Sequence, residues 1–75
     1  MQIVQKTLYD LRVDRDLKQE DVANVLQITK QAYGNYENGK RQLPIEALYT
    51  LCRFYDVSAD YILGLPETLK YPKRK

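Results

Sequence analysis

Apolar residues recur every three or four positions along most of this chain, and no stretch alternates in the two-residue period of a β-strand. This spacing places apolar side chains along one face of an α-helix. Polar or turn-forming residues separate the apolar groups and divide the chain into five predicted helices. They cover about 3–14, a segment starting at Gln19, a segment from Lys30 to Asn38-Gly39, about 45–55, and a short segment containing 61–63.

Residues that favour helix ends lie at these boundaries. Thr29 and Ser58 precede the third and fifth helices, where a hydroxyl accepts a hydrogen bond from the first turn. Pro44 lies at the start of the fourth helix, a position that does not need its missing N–H. Gly64, with Pro66 shortly after it, ends the fifth helix. These features predict an all-α fold.

The apolar stripes also predict which face of each helix is buried. Ile3, Leu8 and Leu11, with a contribution from Val4, form the stripe of the first helix. The remaining predicted core positions are Val22, Ala23 and Leu26 in the second helix, Ala32, Tyr33 and Tyr36 in the third, and Leu48, Leu51, Cys52 and Tyr55 in the fourth.

The second and third predicted helices are short and are joined by a tight turn containing Ile28 and Thr29. The outward face of the third helix combines long polar donors with small residues, and such a face suits the groove of a DNA duplex. This layout is typical of a helix-turn-helix DNA-binding unit. The outward residues are Lys30, Gln31, Gly34 and Asn35.

The same segment resembles the lambda-repressor-like, Cro-type (xenobiotic-response-element) helix-turn-helix family. The resemblance extends from about Leu8 to Gly64, which is most of the chain. Chance is a poor explanation for so many matched spacings. The matching positions are Leu17, Gln19, Val22, Ala23, Leu26, Ile28, Thr29, Tyr33, Tyr36, Glu37, Asn38, Gly39 and Lys40.

The resemblance implies a compact five-helix DNA-binding domain over residues 1–66, followed by a basic, flexible tail over residues 67–75. In the family geometry the third helix enters the major groove and the second crosses the DNA backbone. The residues then expected to contact bases are Lys30, Gln31, Ala32 and Asn35. Packing within the domain is the alternative for Ala32, and a phosphate contact is the alternative for Lys30 and Asn35. Those expected to contact phosphates are Gln19, Asn38, Lys40 and Arg41. Arg12 and Glu37 match the structural ion pair of the family.

Three positions are unusual in this comparison. Asp16 and Gln27 lie where the family usually has glycine, which allows a left-handed backbone. If the backbone at Gln27 is left-handed, its side chain costs about 1 kcal/mol there. Gly34 lies inside a helix, where glycine also costs about 1 kcal/mol. It either allows close approach to the DNA backbone or makes room beside the two tyrosines.

Composition excludes several other classes of protein. The 75 residues suffice for one small domain, and the absence of histidine together with a single cysteine argues against a zinc site. Cys52 is expected to be a small buried apolar residue, with redox sensing as the alternative. We expect no catalytic function, cofactor or metal, because paired carboxylates and a phosphate-binding glycine loop are missing. Without a long apolar stretch or signal-peptide core, the chain is expected to be cytoplasmic.

Positive charge is concentrated in two places. Residues 30–41 carry Lys30, Lys40 and Arg41 against Glu37, and residues 70–75 carry four cations and no acid, whereas the remaining segments are net negative. Clustered cations favour binding to the phosphates of duplex DNA. An ordinary solvated end is the simpler account of the tail.

These features predict a sequence-specific regulator of transcription, expected to act as a repressor. The alternative is an antitoxin or another protein-binding module that regulates its own operon, with the tail as a place for a protein partner. Members of this family usually bind palindromic operators as homodimers. The candidate self-contact is the apolar end of the domain, unless those residues complete the core: Tyr61, Ile62, Leu63, Leu65 and Pro66.

Overall fold

The computed structural model describes residues 2–66 and contains all five predicted helices. They are α1 (Gln2–Asp14), α2 (Gln19–Leu26), α3 (Lys30–Asn38), α4 (Ile45–Tyr55) and α5 (Ala59–Leu63). No strand occurs within residues 2–66, so the predicted all-α fold is confirmed. The predicted basic tail, 67–75, lies outside the described residues.

Every helix contributes to one hydrophobic core. The centre is closed by Leu8 from α1, Tyr33 from α3 and Leu51 from α4, none of which has exposed surface. The other fully packed members are Leu11, Val22, Ala23, Tyr55 and Ile62. Because α3 places Tyr33 in this core, its opposite side is left at the surface.

The prediction for the start of α1 was wrong at one residue. Ile3 is 47% exposed, whereas Val4 packs against the core. The reason is the position of α5: the Ile3 side chain covers the backbone at Gly64 from outside, and Val4 points between the helices. Gly64 adopts a left-handed backbone, with φ of 73°, and ends α5 as predicted.

Left-handed residues end three of the helices without glycine. Asp16, Gln27 and Asp56 have φ angles of 56°, 58° and 58°, so the backbone is left-handed at both positions where the family usually has glycine. At Gln27 the reversed backbone sends the N–H of Ile28 back to the carbonyl of Ala23 at 3.0 Å. This geometry produces the abrupt change of direction between α2 and α3.

The two predicted hydroxyl caps are confirmed. The Thr29 hydroxyl accepts a hydrogen bond from the N–H of Ala32 at 3.1 Å, and the Ser58 hydroxyl accepts one from the N–H of Tyr61 at 3.1 Å. Each cap satisfies a donor that the helix cannot satisfy internally. Within residues 2–66 no helix has the length and apolar character needed to span a bilayer.

Candidate nucleic-acid interface

The first turn of α3 presents two long polar side chains to solvent. Lys30 and Gln31 are exposed, and the Thr29 cap fixes the helix start immediately before them. Neither side chain forms a hydrogen bond or an ion pair with another residue of the described chain. Both are therefore free to contact a ligand in front of the helix.

The second turn of α3 continues this face as a shallow depression. Its floor contains Ala32, Asn35 and Tyr36, which are half-buried, and its rim contains Gln31 and Arg41. The backbone N–H of Arg41 donates to the carbonyl of Asn35 at 3.2 Å, so the loop after α3 folds back onto the helix. The structure thus brings a predicted phosphate-contacting residue beside predicted base-contacting residues.

Gly34 does not lie on this face, and its predicted outward orientation was wrong. The residue is buried against α2, where a Cβ atom would lie 3.4 Å from the side-chain oxygen of Gln19. A side chain at this position would therefore face α2, and neither DNA nor the tyrosines. Helical periodicity alone did not reveal where the neighbouring helix crosses α3.

Replacing Gly34 with alanine is expected to raise the free energy of unfolding by about 0.5–1 kcal/mol. Alanine is the better helix former, and its methyl group would meet Gln19 at an ordinary van der Waals distance. Urea unfolding at equilibrium measures the change.

Gly39→Ala is the matched control for this substitution and is expected to have the opposite sign. Gly39 ends α3 with φ of 81°, and a Cβ atom there would lie 2.8 Å from the Gln5 Cδ atom. The end of the Gln5 side chain can move aside, so the positive φ sets the cost, and we expect a loss of about 1 kcal/mol. A loss of stability in Gly34→Ala as well would contradict the assigned packing.

A largely buried ion pair connects α1 to the end of α3. The Arg12 Nε and Nη2 atoms donate to the two Glu37 carboxylate oxygens at 2.7 and 3.1 Å. Their side chains are only 13% and 4% exposed. A third guanidinium bond, from Nη1 to the carbonyl of Leu17 at 2.9 Å, extends the connection to the α1–α2 loop. The pair that the family resemblance implied is present and fixes α3 relative to α1.

Gln19 belongs to the same network. Its side-chain amide nitrogen donates to Glu37 Oε1 at 3.2 Å, and the side chain is half-buried between α2 and α3. Its predicted phosphate contact stays a prediction, which must use the other amide hydrogen or the backbone N–H at the start of α2. Lys18 precedes it, and its N–H donates to the Asp21 carboxylate at 2.8 Å.

The ion pair shifts the pKa values of its members in the directions that favour charge. Burial opposes ionisation of Glu37, but the polar groups around it, with the Arg12 guanidinium contributing most, outweigh burial and lower the pKa of the carboxyl group. The hydrogen bond to Glu37 raises the pKa of Arg12 in turn. Both groups are therefore charged at neutral pH.

Protonation of Glu37 is expected to lower the stability of the protein in acid. Because its folded-state pKa lies below the ordinary value of 4.5, its contribution is complete above that pH and is lost as the pH falls through the lowered pKa. Urea unfolding of the wild type and of Glu37→Gln, measured at several pH values between roughly pH 7 and pH 3, tests this loss of stability. The stability difference between the two proteins should narrow in acid, and a constant difference would contradict the assignment.

Two buried hydroxyls next to this network have no hydrogen-bond partner within residues 2–66: those of Tyr33 and Tyr55. Burial raises the pKa of both phenols, that of Tyr55 to about 12. The hydroxyl of Tyr33 is thus closed off from any phosphate, and the ring serves the core. Arg15 lies beside Tyr55 and caps the end of α4, where its guanidinium donates to the carbonyl of Tyr55 at 3.2 Å.

The last residue of α3 and the loop after it carry the remaining predicted phosphate contacts. Asn38, Lys40 and Arg41 are all exposed at the same end of the helix. Gln5 of α1 lies under the loop, against Gly39, and sequence reasoning missed it. No local signal identifies such a residue, because it approaches the loop only in the folded chain.

The structure offers no sign of a metal site within residues 2–66, since no three potential ligands cluster there. Cys52 is half-buried in α4, and burial raises the pKa of its thiol. A raised pKa keeps the sulfur protonated and weakly reactive at neutral pH.

Comparison with known proteins gives a consistent match over this structure. The profile of a family described as helix-turn-helix matches residues 8–62, from the middle of α1 into α5. The uncharacterized HTH-type transcriptional regulator YobD of Bacillus subtilis is 43% identical over 60 residues. The cryptic phage CTXphi transcriptional repressor RstR of Vibrio cholerae is 41% identical over 59 residues. No solved structure gives a significant match.

These matches cover most of this chain but only part of each relative. The aligned segment is 80% of the chain and 54% of YobD, and 79% of the chain and 53% of RstR. For the HTH-type transcriptional regulator AnsR of Bacillus subtilis, 35% identical, the shares are 76% and 49%. The chain thus spans about half the length of the curated relatives it matches.

Proposed function

Because this chain belongs to the Cro-type helix-turn-helix family, we propose that it is a sequence-specific regulator of transcription that binds double-stranded DNA and represses its target. The observation that carries the proposal is the free outer face of α3. Its first turn exposes Lys30 and Gln31, while its inner side is anchored by Tyr33 and the Arg12–Glu37 pair. A rigid helix with a free polar face is what major-groove recognition requires.

Each proposed base contact has a chemical reason. The Gln31 amide has a donor and an acceptor that match the N7 and N6 groups of adenine. Lys30 donates to guanine O6 and N7, and the Ala32 methyl contacts the methyl group of thymine. Asn35 follows Gln31 by one turn and lies in the same depression, so it reads a neighbouring base pair.

The proposed phosphate contacts flank this face. Asn38, Lys40 and Arg41 form one exposed group at the end of α3, and Gln19 marks the start of α2. Such contacts fix the register of the protein on the duplex without reading its sequence. They also make affinity fall with rising salt, because each neutralised phosphate releases counterions.

Repression follows from occupancy of an operator. A single short helix reads only a few base pairs, so we propose a homodimer on a palindromic operator, with reading helices about 34 Å apart. The relative RstR is named as a transcriptional repressor. The proposed role needs no catalytic step and places the protein in the cytoplasm with its DNA target.

Selection of bound DNA tests the function. The purified chain is incubated with random genomic fragments at rising salt, and the retained fragments are sequenced. We expect enrichment of one palindromic motif and a steep fall in retention with salt. Absence of any enriched motif, together with a co-purifying protein, would instead indicate a protein-binding module such as an antitoxin.

A further inference from the structure

The outer side of α4 carries an apolar stripe that the proposed DNA contacts do not use. Ile45 and Tyr49 are 82% and 63% exposed, the highest values for large apolar side chains in residues 2–66. Arg53, one turn further on, places its guanidinium carbon 5.9 Å from the centre of the Tyr49 ring, and its Nη1 atom lies 3.4 Å from the Tyr49 hydroxyl. The Arg53 and Tyr49 side chains therefore contact each other along the exposed stripe.

Opposite charges lie at the two ends of this stripe. Glu46 is in the first turn of α4 and Arg53 in the last. Seven residues bring a helix back to within about 20° of its starting direction and advance it about 10 Å, so both side chains lie on one line. Within the described chain neither forms an ion pair. Tyr49 lies between them.

We propose that this α4 stripe is the surface through which two copies of the chain associate. A second copy placed antiparallel across a two-fold axis at Tyr49 brings each Glu46 against Arg53 of the other copy. The two Tyr49 rings then meet at the axis, and Ile45 packs on the stem of the opposite Arg53. The stripe is complementary to itself only in this antiparallel arrangement, which is the property an isologous interface requires.

The competing surface lies where α1 meets α5 and was the self-contact expected from sequence. Ile62 of that segment is buried in the core, which leaves Tyr61 and Leu65 exposed. Lys6 and Asp10 of α1 pair with each other at 2.8 Å, whereas the exposed Asp60 has no ion pair within residues 2–66. That surface therefore offers an acid without a matching cation to orient a second copy, whereas the α4 stripe has one charge of each sign.

This inference rests on the proposed function for its biological meaning, because pairing through α4 joins the two reading helices. α4 packs against α2, and α2 packs against α3, so pairing through α4 positions the two reading helices through α2. Charge across the interface would also fix the register of the two copies.

Charge exchange tests the surface without DNA. Sedimentation of the purified chain at several concentrations is compared with Glu46→Arg and Arg53→Glu, each studied alone and then mixed in equal amounts. We expect the wild type to dimerise and each single variant to do so at least about tenfold more weakly, because like charges then face each other. The mixture should recover dimerisation to within about threefold, because both facing pairs become opposite in charge.

Thermal melting checks that each variant is folded. Tyr61→Ser is the control for the competing surface, and we expect it to dimerise as strongly as the wild type. Any of four results would overturn the proposal. They are a monomeric wild type, single variants that dimerise normally, a mixture that does not recover dimerisation, and loss of the dimer in Tyr61→Ser. Selection of DNA fragments is read separately. Motif enrichment with an unaffected dimer refutes only the α4 surface, and charge-dependent dimers without enrichment refute only the DNA-binding function.

Discussion

Replacing Arg12 with alanine is expected to lower the free energy of unfolding by about 3–5 kcal/mol. The substitution leaves the Glu37 carboxylate almost fully buried, with only the Gln19 amide as a partner. An unpaired buried charge costs far more than the pair itself contributes. The carbonyl of Leu17 also loses its guanidinium donor. For a domain of this size, most of the total stability would be lost.

Urea unfolding of the purified variant measures this loss, and Lys6→Ala is its matched control. Lys6 and Asp10 form an ion pair of similar length, 2.8 Å, but their side chains are 77% and 44% exposed. Removal of that pair should cost far less, because solvent screens both charges. Similar losses in the two variants would mean that the Arg12–Glu37 pair is not buried in solution as described.

Loss of Arg12 should also weaken DNA binding, although the side chain is not proposed to contact DNA. The pair joins α1 and the α1–α2 loop to the last turn of α3, and so determines the angle at which α3 leaves the domain. Stability and affinity are therefore coupled at this site. The coupling distinguishes a positioning residue from a residue that reads bases.

Local signals in the sequence were sufficient for the helices and their ends. Thr29, Ser58 and Gly64 act within one turn of their own position, so their side chains predict the boundary directly. The Arg12–Glu37 pair is different, because its members are 25 residues apart. Only the spacing shared with a known family implied that contact.

The residues whose positions the sequence did not predict are those whose surroundings depend on how the helices cross. Gly34 is outward by periodicity, yet α2 passes over it and Gln19 fills the space. Ile3 is inward by periodicity, yet it lies at the edge of the domain over Gly64. Gln5 supports Gly39 across a gap of more than thirty residues along the chain. A one-dimensional pattern contains no information on these crossings, because it records the face of each helix and not its neighbour.

Replacing Gln31 with alanine is expected to weaken binding to the selected operator by about 10- to 100-fold and to leave folding unchanged. Gln31 is exposed and bonds to no other described side chain, so its removal should alter stability by less than about 0.5 kcal/mol. A bidentate contact to a base contributes about 1–3 kcal/mol of discrimination, which sets the expected loss.

Titration of a labelled operator and of a random duplex separates base reading from phosphate contact. Gln31→Ala should lose affinity for the operator only, with the same salt dependence as the wild type, because no phosphate contact is removed. Gln2→Ala, an equally conservative change at an exposed position of α1, should bind both duplexes normally. An equal loss on both duplexes would assign Gln31 to the DNA backbone, and a fall in melting temperature would assign it to the fold. Arg12→Ala should lose stability and affinity together, whereas Gln31→Ala should lose affinity alone. The two variants together test whether α3 has one face for the core and another for the duplex.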